Sequence, residues 1–151
     1  MGGRIVFPAG GYYHASKYAV EALSDALRFE VAQFGITVAL IEPGLIRTEF
    51  AGTAAGTLAA SAAPAGPYAA LNAIADKQLA DSYRSGWVSA PPEAVAATIE
   101  RAVTATTPRD RYVVTAAAKA LVHTRRLLGS GIFDGYLRTQ FRGTLWAARR
   151  R

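Results

Sequence analysis

A long helical pattern that runs through one glycine into a short apolar segment limits what this chain can become. Residues 12–34 hold no Gly or Pro and are dominated by Ala, Leu, Glu and Arg, residues that lose little on entering a helix. Val20, Leu23, Leu27, Val31 and Phe34 recur at three- and four-residue steps, the period of one helical face. Ala15, Ala19, Ala22 and Ala26 form a second stripe, small enough for another element to approach closely. Gly35 is placed to end the helix in a left-handed conformation. The run Ile36-Thr37-Val38-Ala39-Leu40-Ile41 is β-branched and nearly continuous in apolar character, which predicts a strand covered on both faces, as in a parallel sheet. Pro43-Gly44 stops it. Helix, glycine and buried strand make half of a βαβ unit.

The rest of the chain supplies helices but few strands. Residues 1–11 carry Gly2, Gly3, Pro8, Gly10 and Gly11 and read as a loop, with at most a short extended piece at Arg4–Phe7. Residues 51–66 are Ala, Gly, Thr, Ser and Pro with Leu58 as the one sizeable side chain. With so little to bury, a mobile surface loop or a lid is expected there. Residues 67–85 read as a helix through Tyr68, Leu71, Ile74, Ala75, Leu79 and Tyr83, interrupted by Gly86-Trp87. Pro91-Pro92-Glu93 opens another helix to about Thr104, with proline and acid in its first turn and a stripe of Val95, Ile99 and Val103. Residues 112–115 are a second strand candidate, and 116–128 and 132–141 read as two short helices broken by Gly129-Ser130-Gly131. Two interior-type strands cannot satisfy each other's edges. The sequence therefore reads as the second half of a larger fold.

Composition excludes several function classes. The 151 residues are 51% hydrophobic and 19% charged, a globular balance. No cysteine is present, which removes disulfides, thiolate catalysis and Cys-ligated metals and agrees with a cytoplasmic setting. His14 and His123 are the only histidines, and so far apart that no metal site is expected. No apolar run is long enough for a membrane span, and the start of the chain lacks the pattern of a signal peptide. The net charge is +6, but residues 119–151 alone carry eight basic residues against Asp134, a net of +7, so residues 1–118 sum to −1. The basicity belongs to the tail.

The chemistry-bearing stretch is Gly10-Gly11-Tyr12-Tyr13-His14-Ala15-Ser16-Lys17. On a helix, Tyr13 and Lys17 lie one turn apart on one face. An ammonium beside a phenol favours the phenolate and draws its pKa down from about 10, which suits proton transfer at a carbonyl or alcohol oxygen. His14 points about 100° away from Tyr13 and reads as a surface or pocket-wall residue. Ser16 has no acid–base partner and reads as a small helix residue, so a Ser–His–Asp arrangement is not supported.

With Tyr18-Ala19-Val20-Glu21-Ala22-Leu23 after that stretch, and Ile41-Glu42-Pro43-Gly44-Leu45-Ile46-Arg47-Thr48 after the strand, residues 1–115 closely resemble the short-chain dehydrogenase/reductase family. The Tyr-x-x-x-Lys pair and the Pro-Gly-x-x-x-Thr run match its motifs, and the spacing between them fits. The resemblance implies an α/β fold, here the carboxyl-terminal half of a doubly wound, Rossmann-like parallel sheet, mostly helical as it stands and without the amino-terminal nucleotide-binding half. It implies an oxidoreductase that uses NAD or NADP to interconvert an alcohol with a ketone or aldehyde. Tyr13 would be the acid/base. Lys17 would lower its pKa and hold the nicotinamide ribose. Pro43 and Gly44 would pass beside the nicotinamide, with Thr48 near its carboxamide or phosphate.

Departures from the family pattern are as clear. No glycine-rich turn follows a strand, so the usual pyrophosphate cradle is missing. The family's serine would stand some thirteen residues before Tyr13, ahead of Met1. Met1 is therefore expected to be an internal methionine of a longer frame or a start left by loss of the first half, and the chain alone is expected to be inactive. The domain reading is residues 1–118 as part of a dinucleotide-binding oxidoreductase and 119–151 as a basic, amphipathic helical extension. Expected partners are a small apolar carbonyl or alcohol substrate and a second copy of the chain, with no metal and no nucleic acid. The extension is expected to cap the domain through Phe133, Leu137 and Phe141. The alternative is a non-catalytic remnant or a helical interaction module whose basic tail contacts acidic lipid or nucleic acid.

Overall fold

In the computed structural model, which describes residues 1–61, 66–86 and 88–141, the helical pattern of the first third folds as its residues dictate. Helix α1 spans Gly11–Glu30, followed by a tight 3-10 turn at Ala32–Phe34. Gly35 closes it at φ 72°, donating its N–H to Ala32 O at 3.0 Å. The expected apolar stripe is not core, however. Val20, Leu23, Leu27 and Phe34 are exposed, and His14 is the only buried residue of α1.

The strand expected at 36–41 forms later and shorter. Strand β1 is Leu40–Glu42, and it pairs in parallel with β4, Arg111–Val113, in the register Leu40↔Arg111, Ile41↔Tyr112, Glu42↔Val113. The length of β4 sets the limit. Its ladder begins with Leu40 N donating to Asp110 O, and the chain just before it is held in a turn by Arg109 N donating to the Tyr112 hydroxyl. Pro108 upstream has no N–H to give. Ile36 is accordingly unpaired and 55% exposed. A second parallel pair joins β2, Leu45–Ile46, to β3, Ser89–Ala90. Two-residue strands leave no readable alternation, and neither was expected.

Residues 50–61 are helical, not a mobile loop. Helix α2 is Phe50–Ser61. Alanine has the highest helix propensity of any residue, and the threonines return their hydroxyls to the backbone, Thr53 to Glu49 O and Thr57 to Thr53 O. Residues 62–65 and Trp87 lie outside the described residues. Helix α3, Ala69–Arg84, packs beside α2. Helix α4, Pro92–Thr104, has Pro92 in its first turn and Glu93 at its positive end, as its sequence predicts. Its buried face is Thr98 and Ala102, one residue away from the expected stripe; Ile99 and Val103 are exposed. They border a groove of about 480 Å³ along β1, with Thr37, Ala39, Ile41, Ala102 and Pro108. Helix α5, Ala116–Gln140, bends at Gly129 (φ 73°, ψ −176°), which recovers the two helices expected on either side of the glycines.

The chain is thus mostly helical with two small parallel sheets. Among the described residues the buried apolar ones are few: Ile5, Ala102, Ala117, Ala118, Val122, Phe133 and Phe141. Of the three residues expected to cap the domain, Phe133 and Phe141 are 4% and 2% exposed and Leu137 is half-buried; Gln78 of α3 donates to Gln140 O at 2.8 Å. The Phe133 ring packs edge-on against Phe7, at 6.1 Å, rather than only against the later helices. Arg142, Leu145, Trp146 and Arg149–Arg151 of the tail lie outside the described residues.

Candidate functional site

The first turns of α1 bring Tyr13 and Lys17 to one side of the helix. Lys17 Nζ lies over the Tyr13 ring, 5.6 Å from its centroid, a cation–π geometry. Among the described residues no hydrogen bond joins Lys17 to the Tyr13 hydroxyl. Tyr13 is 43% exposed. Its ring meets Phe50, at the start of α2, at 5.6 Å and His14 at 5.4 Å. Burial pushes the Tyr13 phenol above its usual value of 10.0. That is the reverse of the lowering expected from a neighbouring ammonium. The reason is geometric: the charge stands over the ring face, so desolvation of the phenolate decides the direction.

Tyr83 of α3 lies within electrostatic reach of Tyr13. Burial pushes its phenol up first, and the charge of Tyr13 adds to it. Neither Phe50 nor Tyr83 is singled out by sequence spacing, because both reach Tyr13 from other helices.

Pro43 and Gly44 lie beyond the carboxyl end of β1, against the start of α5. Thr115 N donates to Pro43 O at 3.3 Å. Gly44 has φ 87°, and a Cβ there would collide with Thr115 Oγ1 and stand 3.1 Å from Ala118 Cβ. Both the backbone conformation and the close approach require glycine. Thr115 caps α5 by accepting from Ala118 N at 3.1 Å. Thr48 is exposed; its hydroxyl accepts from Phe50 N at 3.3 Å and starts α2. Phe50 is therefore the neighbour shared by Thr48 and Tyr13, while Pro43-Gly44 makes its contacts on Thr115 and Ala118.

His14 is a core residue, not a surface or pocket-wall one. It is buried, with Nδ1 2.9 Å from Gly2 O and Nε2 3.2 Å from Phe7 N. The Phe7 N–H can only donate, so these partners assign the tautomer with the proton on Nδ1. The ring pins the glycine-rich loop 1–10 onto α1.

A charge network beside the site was not visible in the sequence. Glu42, 2% exposed, ends β1. Its Oε1 accepts from Arg4 Nη1 at 3.3 Å and lies 3.6 Å from Arg111 Nε; Oε2 faces the Met1 ammonium at 3.7 Å and accepts no hydrogen bond among the described residues. Arg111 also grips α1, with Nη2 at 2.6 and 2.7 Å from the Asp25 carboxylate and Nε at 3.1 Å from Glu21. The Arg111 hydrogen bond, foremost among several contacts, holds the Asp25 carboxyl below its usual value of 3.8. The network fixes α1, and with it Tyr13 and Lys17, to the β1–β4 pair. Among the described residues no cluster of His, Cys, Asp and Glu could hold a metal ion, and no helix is long and apolar enough to cross a membrane.

Comparison with known proteins bears on the same residues. The family model described as short chain dehydrogenase matches residues 1–58, a stretch that contains Tyr13, Lys17, Pro43, Gly44 and Thr48. The uncharacterized oxidoreductase YbbO of Escherichia coli K12 is 36% identical over 135 residues, covering 89% of this chain and 44% of that protein. The NADPH-dependent 3-dehydrocapnine reductase of Ornithobacterium rhinotracheale is 40% identical over 107 residues, 71% of this chain and 36% of that protein. Mouse 17-beta-hydroxysteroid dehydrogenase type 6 is 60% identical, but over 40 residues, 26% of this chain. The chain spans less than half the length of these relatives.

Proposed function

The chain belongs to the short-chain dehydrogenase family, and from that premise we propose that it carries the proton-transfer half of an NAD(P)-dependent oxidoreductase. The reaction interconverts a small apolar ketone or aldehyde with its alcohol. The observation that supports this reading most is the pairing of Tyr13 and Lys17 on one half-exposed helical face inside the stretch that the family model matches.

On this reading the chain would hold one end of a nicotinamide cofactor. Lys17 would hold the ribose, and Pro43, Gly44 and Thr48 would border the nicotinamide. The bound cofactor would supply or accept the hydride. The chain's own task is the proton. A phenol raised by burial is neutral at physiological pH and can donate to a developing alkoxide. An ammonium that swings from the ring face to the phenol oxygen would stabilise the phenolate left behind. No glycine-rich strand–turn–helix unit is among the described residues, so no pyrophosphate cradle is assigned to them. The fold reading follows: β1 and β4 would be strands of a larger doubly wound sheet. The division into 1–118 and a 119–151 extension then runs through the first turn of α5.

The test has two arms. The chain alone, at high concentration with NADH or NADPH and a panel of apolar ketones and aldehydes, is expected to show no turnover. Joined to the amino-terminal portion of the E. coli relative, it is expected to oxidise the cofactor, and Tyr13→Phe is expected to cost about 10²–10⁴ in rate. Activity of the joined protein that is indifferent to Tyr13→Phe would sink the assignment. Tyr13-dependent activity of the chain alone would show that it holds a complete site.

A further inference from the structure

The bend of α5 concentrates exposed apolar side chains that no part of the proposed reaction uses. Leu127, at the end of the first half, is 77% exposed, and Leu128 beside it is exposed too. Beyond Gly129, Ile132 and Tyr136 are four residues apart and both exposed, while Phe133 and Phe141 of the same segment are buried. The second half thus has two apolar faces, one packed on Phe7 and one open.

Charge distinguishes this patch from the other exposed apolar surface. Leu23, Leu27 and Phe29 of α1 are exposed among Glu21, Asp25 and Glu30, with Arg28 as the one cation between them. Along α5 the exposed lysine and arginines are Lys119, Arg126 and Arg138, with Asp134 as the one acid in residues 119–151. Among the described residues none of these three cations takes part in an ion pair. Leucine and isoleucine flanked by arginine, with a tyrosine whose ring centroid lies 6.1 Å from that of Phe133, is the composition of a helix that lies in a lipid headgroup layer.

We propose that the α5 bend docks on an anionic lipid bilayer, with Leu127, Leu128, Ile132 and Tyr136 entering the headgroup region and Lys119, Arg126 and Arg138 meeting the lipid phosphates. The mode is peripheral. A basic patch alone is attracted within a Debye length and released by salt; the apolar side chains add affinity that salt does not screen.

The experiment is vesicle co-sedimentation of the purified chain, with vesicles of 30% phosphatidylglycerol in phosphatidylcholine against phosphatidylcholine alone. Binding is expected to the anionic vesicles only. R126Q/R138Q is expected to weaken it roughly thirtyfold, from the usual contribution of each cation at such a surface, and L127S/L128S by about tenfold or more. All four residues are exposed, so both variants should keep the wild-type circular dichroism spectrum. Three outcomes overturn the proposal. One is no sedimentation with either vesicle, including the case in which a stable dimer covers the patch. Another is binding that survives L127S/L128S unchanged. The third is a preference for a duplex oligonucleotide that depends on the arginines and ignores the leucines, the signature of phosphate attraction alone.

Discussion

Replacing Gly44 by alanine isolates what holds the loop after β1 against α5. A non-glycine residue at φ 87° costs roughly 1–2 kcal/mol in backbone strain. The new methyl would also collide with Thr115 Oγ1. Thr115 must then turn away, and its cap to Ala118 N at 3.1 Å is lost, worth about 0.5–2 kcal/mol. The sum is roughly 2–4 kcal/mol, a fall in melting temperature of about 5–15 °C for a chain of this size. Gly35→Ala is the control. Gly35 has a similar φ of 72° with no atom within 4 Å of the added methyl, so it should show the strain alone. Thr115→Ala removes the colliding oxygen along with the cap. The double variant Gly44→Ala/Thr115→Ala should therefore cost less than the two single changes together, by about 1 kcal/mol. The assay is thermal and urea unfolding followed by far-ultraviolet circular dichroism. A Gly44→Ala cost no greater than that of Gly35→Ala, or full additivity in the double variant, would refute the packing argument.

Three further outcomes follow from named contacts. Tyr13, raised by burial, should titrate above 10 in the chain alone when followed by NMR of ring-labelled tyrosine against Tyr13→Phe; since the folded value is the higher one, stability should fall as pH rises past 10, and a midpoint below 10 would show the Lys17 charge acting at the oxygen. Asp25 is held below 3.8, chiefly by Arg111, so the stability it adds is present above that value and lost as pH falls through the lower folded value; Arg111→Gln should flatten the melting temperature between pH 4 and 2 relative to wild type. Phe133→Ala should cost about 3–5 kcal/mol, because it removes a ring that is 4% exposed and packed on Phe7 and Arg125; unchanged urea unfolding would mean that the second half of α5 does not cap the domain.

What was legible in the sequence was local. Helix α1 and its stop at Gly35 depend on propensity and a single backbone conformation, and both appear where the residues place them. The proline-led start of α4 and the glycine break of α5 are of the same kind. Strand position was not legible, because β1 is as long as its partner allows and its partner lies some 70 residues away. The alanine-rich α2 was misjudged through burial: a segment with nothing to bury can still be helical when alanine supplies the propensity.

The site divides along the same line. That Tyr13 and Lys17 share a face follows from helical periodicity. What surrounds them does not. His14 is buried because loop 1–10 folds back over it, and the helix that carries His14 says nothing about that loop. Glu21 and Arg111 are 90 residues apart, yet their ion pair orients the face that carries Tyr13 and Lys17. The Tyr13 phenol shows why this matters for chemistry. Four-residue spacing delivers an ammonium to the neighbourhood of a ring, but acidity depends on which part of the ring the charge approaches. Over the face, 5.6 Å from the centroid, Lys17 leaves burial in control and the phenol keeps its proton. At the oxygen it would reverse the sign. On the proposed reading, a ligand that draws Lys17 toward the hydroxyl would make Tyr13 the stronger acid.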